Sequence, residues 1–308
     1  MKKILSIDVG GTKISYCIFD EKGSALADIS KTKTPKDIEA LKTVFKTIIS
    51  QNEENIDAVS FATAGAINLT NTKVESSTPN MPDGYNQIDF SSLSSKPVFV
   101  ENDANAAAWA EYKLGAAIGH DNTVIVTLGT GIGGGIIING KLLRGKSGRG
   151  AEIGSIKLFP DKRRQCTCKN YDCWESYASG TGLKVTAQES ALSFEEFKTS
   201  FLKDKKANDI TTHDIIAGVN KKDIFSKKVF DLWQSHILSG LISLTNIFDP
   251  ESIVISGGMG EFIEYERLEN QINDSIVVSP TKLLPAKMKN DAGMVGAALL
   301  CAEKFFSV

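Results

Sequence analysis

A plan of strand, glycine-rich turn and returning strand occurs twice in this chain, and it limits the fold more than any other feature. Residues 3–9 have the apolar, alternating character of a strand, Gly10-Gly11-Thr12 turns the chain, residues 14–19 return, and Asp20-Glu21-Lys22-Gly23 makes a polar turn. The β-branched run 123–128 repeats the opening. Gly129-Thr130-Gly131-Ile132-Gly133-Gly134-Gly135 repeats the turn, residues 136–138 return, and Asn139-Gly140 is a strong hairpin signal. Two halves with one opening predict two domains of similar topology facing each other. The boundary is placed near 116–122, where Ala116-Ala117-Ile118-Gly119-His120-Asp121-Asn122 has no periodicity.

Helical spacing fills much of the rest. Ile38, Leu41, Val44, Phe45 and Ile48 predict a helix over 37–50. An alanine-rich helix over 104–114 follows the capping pair Asn102-Asp103, and a long helix over 222–247 stops before Asp249-Pro250. A strand over 252–256 leads into a third glycine turn, Gly257-Gly258-Met259-Gly260, and the chain closes with a small-residue helix over 292–306. The chain of 308 residues is long enough for two cores.

Composition narrows the function. With 35 basic against 37 acidic residues the net charge is −2, so nucleic acid is not the expected partner. The short basic clusters Lys162-Arg163-Arg164 and Lys203-Asp204-Lys205-Lys206 read as solvated loops. Asp8 interrupts the first apolar run too early for a signal peptide, and no stretch suits a membrane span, so a cytoplasmic protein is expected. Of five cysteines, Cys17 and Cys301 read as small core residues, whereas Cys166, Cys168 and Cys173 cluster as a metal knuckle would.

Glycine turns after strands let backbone N–H groups approach phosphate oxygens. Three such turns suggest a nucleotide held from both sides of a cleft. The first turn supplies Gly10, Gly11, Thr12 and Lys13, with Asp8 at the strand end placed to hold a Mg²⁺ water. The second supplies Gly129, Thr130 and Gly131, and the third Gly257 and Gly258. The first turn is not a Walker A loop. Asp103 can be a helix cap or a general base, and the helix dipole favours the ionised form that a base needs. Glu152 and Glu175 are carboxylates able to bind sugar hydroxyls in pairs, although either alone reads as a surface residue.

The chain resembles the ROK family of bacterial sugar kinases and related repressors, nearly end to end. The resemblance rests on Asp8-Val9-Gly10-Gly11-Thr12-Lys13, Glu101-Asn102-Asp103-Ala104-Asn105-Ala106-Ala107-Ala108, Leu128 to Gly135 and Glu152-Ile153-Gly154. It continues through Cys166-x-Cys168-x-x-x-x-Cys173-x-Glu175, Ser179-Gly180, Ile255-Ser256-Gly257-Gly258 and Asp291-Ala292-Gly293. It implies an α/β, two-domain, actin/hexokinase-like (ribonuclease H-like) fold with a cleft between domains. Residues 1–118 would form the first domain, the 291–308 helix would pack back on it, and residues 119–290, with the 166–173 cysteine cluster, would form the second.

By the same resemblance, ATP and Mg²⁺ are co-substrates and Asp103 is the base that takes a proton from a hexose hydroxyl, C6 being the expected position. Asn80, Asn102, Asp103, Glu152 and Glu175 hold the sugar, Gly10 to Lys13 and Gly129 to Gly131 face the phosphates, and Gly257 and Gly258 lie near the adenosine. A homodimer is expected. Glucokinase is the leading reading, ahead of an N-acetylmannosamine, N-acetylglucosamine or fructose kinase. The rival of another class is a non-catalytic sugar-sensing regulator, against which the early first strand speaks.

One departure concerns the metal. The family's pattern Glu-x-Gly-His has Ser155 in place of the histidine that is both a zinc ligand and a sugar neighbour, and Lys169 replaces a glycine. Zn²⁺ on Cys166, Cys168 and Cys173, completed by water or by a carboxylate such as Asp161, stays open beside a cluster that holds no metal.

Overall fold

The structure is a computed structural model that describes residues 1–77, 80–288 and 291–306. The elements in order are β1 (Lys3–Val9), β2 (Lys13–Asp20), β3 (Ser30–Lys33), α1 (Ile38–Ser50), β4 (Ala58–Thr63), β5 (Ala66–Ile67), β6 (Val74–Ser76), β7 (Val98–Asn102), α2 (Asp103–Leu114), β8 (Thr123–Leu128), β9 (Ile132–Ile138) and β10 (Lys141–Leu142). They continue as α3 (Glu175–Ala178), α4 (Gly180–Ser193), α5 (Thr212–Asn220), α6 (Ile224–Phe248), β11 (Ser252–Ser256), α7 (Tyr265–Asn273), β12 (Lys282–Pro285) and α8 (Ala292–Phe306), with short 3₁₀ turns between.

The twofold plan read from the sequence is a twofold plan of sheets. One runs β3-β2-β1-β4-β7 and the other β10-β9-β8-β11-β12. In the first, β1 and β2 form an antiparallel hairpin, and β4 and β7 add in parallel beside β1. The chain divides into two compact units. The first holds Met1–Ile125, Gly135–Ala151 and Ala286–Val308, and the second Val126–Gly134 and Glu152–Pro285.

The first unit packs α1 and the segments around β7 over one sheet face, where Phe45, Phe61, Phe90 and Tyr85 meet edge-on or tilted. On the other face lie α2 and α8, matched by small residues. Ala62, Ala106 and Ala297 form their shared core, and a Cβ on Gly296 would come within 1.7 Å of the Ala106 carbonyl. Lys113 of α2 bonds Glu303 of α8 at 3.1 Å. Position 106 meets 296 and 113 meets 303, a constant offset, so the two helices run side by side in the same sense. The fully buried Glu111 accepts the backbone N–H groups of Ala116, Lys287 and Met288 (2.7, 3.2 and 2.7 Å), tying the segment after α2 to the one before α8.

In the second unit, Trp174 and Trp233 are fully buried, and their indole N–H groups donate to the carbonyls of His236 and Ala178, both at 2.8 Å. Gly240 of α6 leaves the room that the Trp174 ring fills.

Three expectations need correction. The glycine run 129–135 is not all turn, because β9 begins at Ile132. Gly135 is glycine since a Cβ there would stand 2.4 Å from that of Ala108, a packing reason and not a ligand. Arg164 is not solvated. It is 9% exposed, donates to Glu189, Thr186 and the Ser176 carbonyl, and stacks on Tyr177. Helices α4, α5 and α7 lie outside what apolar spacing predicts. The two glycines in the first turn of α4, capped by Ser179, hide its start.

No helix among the described residues is long and apolar enough to cross a membrane. The α2–α8 contact gives a direct prediction. Gly296→Ala must push the helices apart or bend one, and overpacking of this kind typically costs about 1–3 kcal/mol. Denaturant unfolding should show that loss, whereas a silent Gly296→Ala would mean that the helices have slack.

Candidate active site

In the first unit the chain gathers carboxylates at the carboxyl end of β1. Asp8 is the residue before the strand's last. Asp103 opens α2 and Asp291 immediately precedes α8. Burial, then the charge of Asp103, with Asp291 adding and Lys13 opposing, pushes the Asp8 carboxyl from 3.8 up to about 7. A Cβ on Gly293 would sit 3.8 Å from Asp8 Oδ1, which places that carboxylate against the first turn of α8.

Asp103 is open to solvent, yet protein replaces most of the water further out. That loss of hydration pushes its carboxyl above the usual range, while the N–H groups of Ala104 and of Asp103 itself pull it down. The capping role belongs to Asn102, whose Oδ1 accepts from the N–H of Ala104 (3.0 Å) and Asn105 (3.1 Å). Asp103 is therefore the first helical residue and not the cap; its Oδ1 accepts the neighbouring Ala104 N–H at 2.8 Å. The Asn102 amide nitrogen donates to the Gly65 carbonyl at 3.1 Å.

The first glycine turn is anchored by its carbonyls. Gly10 accepts from the Thr34 hydroxyl (2.6 Å), Gly11 from Lys36 Nζ (3.0 Å) and Thr12 from the Thr34 N–H (3.0 Å). In trans peptides the N–H opposes the preceding carbonyl, so the N–H groups of Gly11 and Thr12 point away from the 34–36 segment. Two successive amides on one side are an anion nest. Asn80 is exposed and lies against Gly11, where a Cβ would come within 2.9 Å of its own. The exposed Lys13 opens β2.

The second unit holds the other expected residues. Gly129 and Gly258 have open space where a Cβ would stand. Gly257 is held at φ 89 with a Cβ position 2.5 Å from the Leu128 carbonyl, so its glycine serves the approach of two strand ends. Thr130 and Gly129 accept from Thr181 and Gly180 at the start of α4. Glu152 is exposed, and Ser155 donates its N–H to the Glu152 carbonyl.

Glu175 is half-buried and fixed, unlike the surface residue it resembles when read alone. Its Oε2 accepts the Ile132 N–H at 2.9 Å, next to Gly131, where a Cβ would clash with the same oxygen. Its Oε1 accepts the Thr167 hydroxyl at 2.8 Å and the Cys166 thiol at 3.4 Å. The glycine turn, Glu175 and the cysteine cluster are thus one connected structure.

The sulfurs of Cys166, Cys168 and Cys173 lie within 4.8 Å of one another, and those of Cys168 and Cys173 are 3.6 Å apart. The loop is shaped by the buried Asp172. Burial alone would raise its carboxyl, but the Tyr177 hydroxyl and the N–H groups of Arg164 and Arg163 hold it near 2. Among the described residues no fourth histidine, cysteine or carboxylate groups with all three sulfurs, Glu175 meeting Cys166 at 3.4 Å, and Asp161, the carboxylate expected there, is paired with Arg163 instead. Three thiols fit three positions of a tetrahedral zinc and leave one for water.

Sequence reasoning overlooked Asp291 as a charge acting on Asp8. It also gave no sign that Tyr85 is fully buried with its hydroxyl 2.7 Å from that of Thr63, or that Arg144 grips Glu101. Only Asp291 had a local signal, its place just before a helix.

The ROK family pattern matches residues 4–304. A glucokinase of Streptomyces coelicolor is 34% identical over 317 residues, 97% of each chain. The xylose repressor of Bacillus spizizenii is 28% identical over 99% of this chain and 78% of its own length. Among solved structures, a ROK family glucokinase from Streptomyces griseus in complex with glucose and AMPPNP is 33% identical, covers 98% of this chain and 99% of its own, and has a TM-score of 0.76. The chain belongs to the ROK family, and its fold is actin/hexokinase-like.

The raised Asp8 affinity for protons carries a stability consequence. The folded state keeps the proton up to about pH 7, whereas the unfolded chain releases it near 3.8, so Asp8 progressively destabilises the ligand-free fold as pH rises between those values. Asp8→Asn should gain stability over wild type across that window and level off above it. Melting temperatures from pH 4 to 8 would reveal this, and a constant difference would mean that Asp8 titrates normally.

Proposed function

We propose that the chain is an ATP-dependent sugar kinase of glucokinase type that transfers the γ-phosphoryl group of ATP to the C6 hydroxyl of a hexose, with Asp103 as general base. The observation that carries this reading is the separation of roles at the start of α2. Asn102 caps the helix, so Asp103 is not needed as a cap. Its raised proton affinity brings it toward the operating pH, where a base both accepts and releases a proton. The similarity to glucokinases in sequence, and in structure to one holding glucose and AMPPNP, supports the substrate pair.

In this reading Asn80, Asn102, Glu152 and Glu175 orient the sugar hydroxyls. The Gly11 and Thr12 amides, with Lys13 and the 129–131 turn, offset phosphate charge, and Gly257 and Gly258 border the adenosine. Phosphoryl transfer asks a protein mainly for in-line positioning and charge stabilisation. A Mg²⁺ bound with ATP would neutralise phosphate charge, and Asp8, whose proton a cation would displace, is the residue placed to hold its water. The domain assignment of residues 1–118 with 291–308 against 119–290, a homodimeric assembly and a cytoplasmic location belong to the same reading.

The repressor match supports a second reading, a sugar-sensing regulator. A coupled ADP-release assay with MgATP, over a panel of hexoses and N-acetylhexosamines, separates the two and names the sugar. Turnover with one sugar supports the kinase. No turnover, with sugar still raising the melting temperature, supports the sensor. Asp103→Asn should lower kcat by about 10²–10⁴-fold while the sugar-induced thermal shift persists, and near-normal kcat would return Asp103 to a structural role.

Zinc on Cys166, Cys168 and Cys173 is part of the proposal, and it would lock the knuckle that bonds Glu175. Elemental analysis should find one zinc per chain, lost in Cys168→Ser. Metal-free protein with three titratable knuckle thiols would instead make the cluster a hydrogen-bonded scaffold.

A further inference from the structure

Two residues before Asp103, the Glu101 side chain is 1% exposed, and both of its oxygens are engaged. Oε1 accepts the Asn102 N–H at 3.0 Å and the Asn105 side-chain amide at 3.2 Å. Oε2 accepts Arg144 through Nε at 3.1 Å and through Nη2, together with the Asn71 side-chain amide at 3.4 Å. Asn71 is itself held at φ 59 and pairs with Val100 in both directions, its carbonyl accepting the Val100 N–H and its amide donating to the Val100 carbonyl, each at 2.9 Å. The end of β7 is therefore gripped by Asn71 at Val100, while β4 pairs alongside it, with Ala62 opposite Glu101 and Thr63 opposite Asn102.

We infer that Glu101, held by Arg144, is the positioning residue that sets the register of the Asn102–Asp103 turn, and that this pair controls turnover more than sugar affinity. The inference rests on Asp103 being the base. The bond to the Asn102 N–H fixes the peptide that leads into α2. The bond from Asn105 ties the first turn of α2 back to the strand. Asp103 sits between those two anchors. A buried ion pair is a poor device for stability alone, since apolar residues of similar size often serve as well. Here two of its donors lie in the turn that carries Asp103. Arg144 stands at the root of a loop closed by the Gly150 N–H on its carbonyl at 3.0 Å, and that loop runs on into Glu152.

The test is steady-state kinetics of Glu101→Gln, Arg144→Met and the double variant, beside Asp103→Asn and with melting temperatures for all. Misplacing a catalytic group by about 1 Å can lower the rate by about 10²-fold, so kcat should fall by about that factor in each single variant. KM for the sugar should rise by much less than kcat falls, since of the proposed sugar contacts only Asn102 and Asp103 lie in that turn. The double variant should be no slower than the slower single one, because both act through the same turn. Normal kcat with only a lowered melting temperature would overturn the inference and leave the pair structural. If Glu101→Gln does not fold, Arg144→Met, at a partly exposed site, decides between the same two outcomes. Should Asp103→Asn keep its turnover, the base assignment fails and this inference with it. An inactive Asp103→Asn beside a fully active Glu101→Gln sinks the inference alone.

Discussion

The close, parallel contact of α2 with α8 is the constraint on which the rest of the first unit depends. Gly296 lets the backbone of one helix reach the Ala106 carbonyl of the other, and Ala62 and Ala297 fill the remaining gap. Because the helices run in the same sense, their N-termini arrive together at the end of β1. That arrangement brings Asp103 and Asp291 near Asp8. Lost hydration and then like charges raise the proton affinity of Asp8, while the two helix dipoles favour negative charge at the same place. In the proposed kinase reading, these carboxylates would receive a cation and a hydroxyl proton beside a metal-bound phosphate.

Glycines mark this chain's motifs, but they do so for different reasons. Gly135, Gly257 and Gly131 are glycines because a side chain would strike Ala108, the Leu128 carbonyl or Glu175. Gly129 and Gly258 face open space. The first group builds the framework and the second leaves backbone accessible. A glycine count in a motif cannot separate them, since the neighbours that decide each case are distant in sequence.

The cysteine knuckle reaches the second glycine turn through Glu175. Cys166 and Thr167 hold one oxygen of that carboxylate, and the amide of Ile132 holds the other. Replacement of the family's histidine by Ser155 leaves this bridge intact. Asp172, with Tyr177 and two backbone amides, shapes the loop from within, so the sulfurs converge by loop geometry. The Trp174 ring, seated against Gly240, anchors the same segment to α6.

The local elements and the residues proposed to carry the chemistry were legible in the sequence. Periodicity marked β1, β2, α1, α2, β8, α6, β11 and α8 to within a few residues, because each is set by apolar spacing, caps and breakers among near neighbours. The glycine turns and Asp103 were visible for the same local reason. Tertiary structure alone decided that Asn102 and not Asp103 caps α2, that Asp291 acts on Asp8, that Arg164 is buried, and that Arg144 grips Glu101. Most of those facts depend on partners tens to hundreds of positions away, and a carboxylate or guanidinium looks the same in sequence whether water or a buried counter-charge surrounds it.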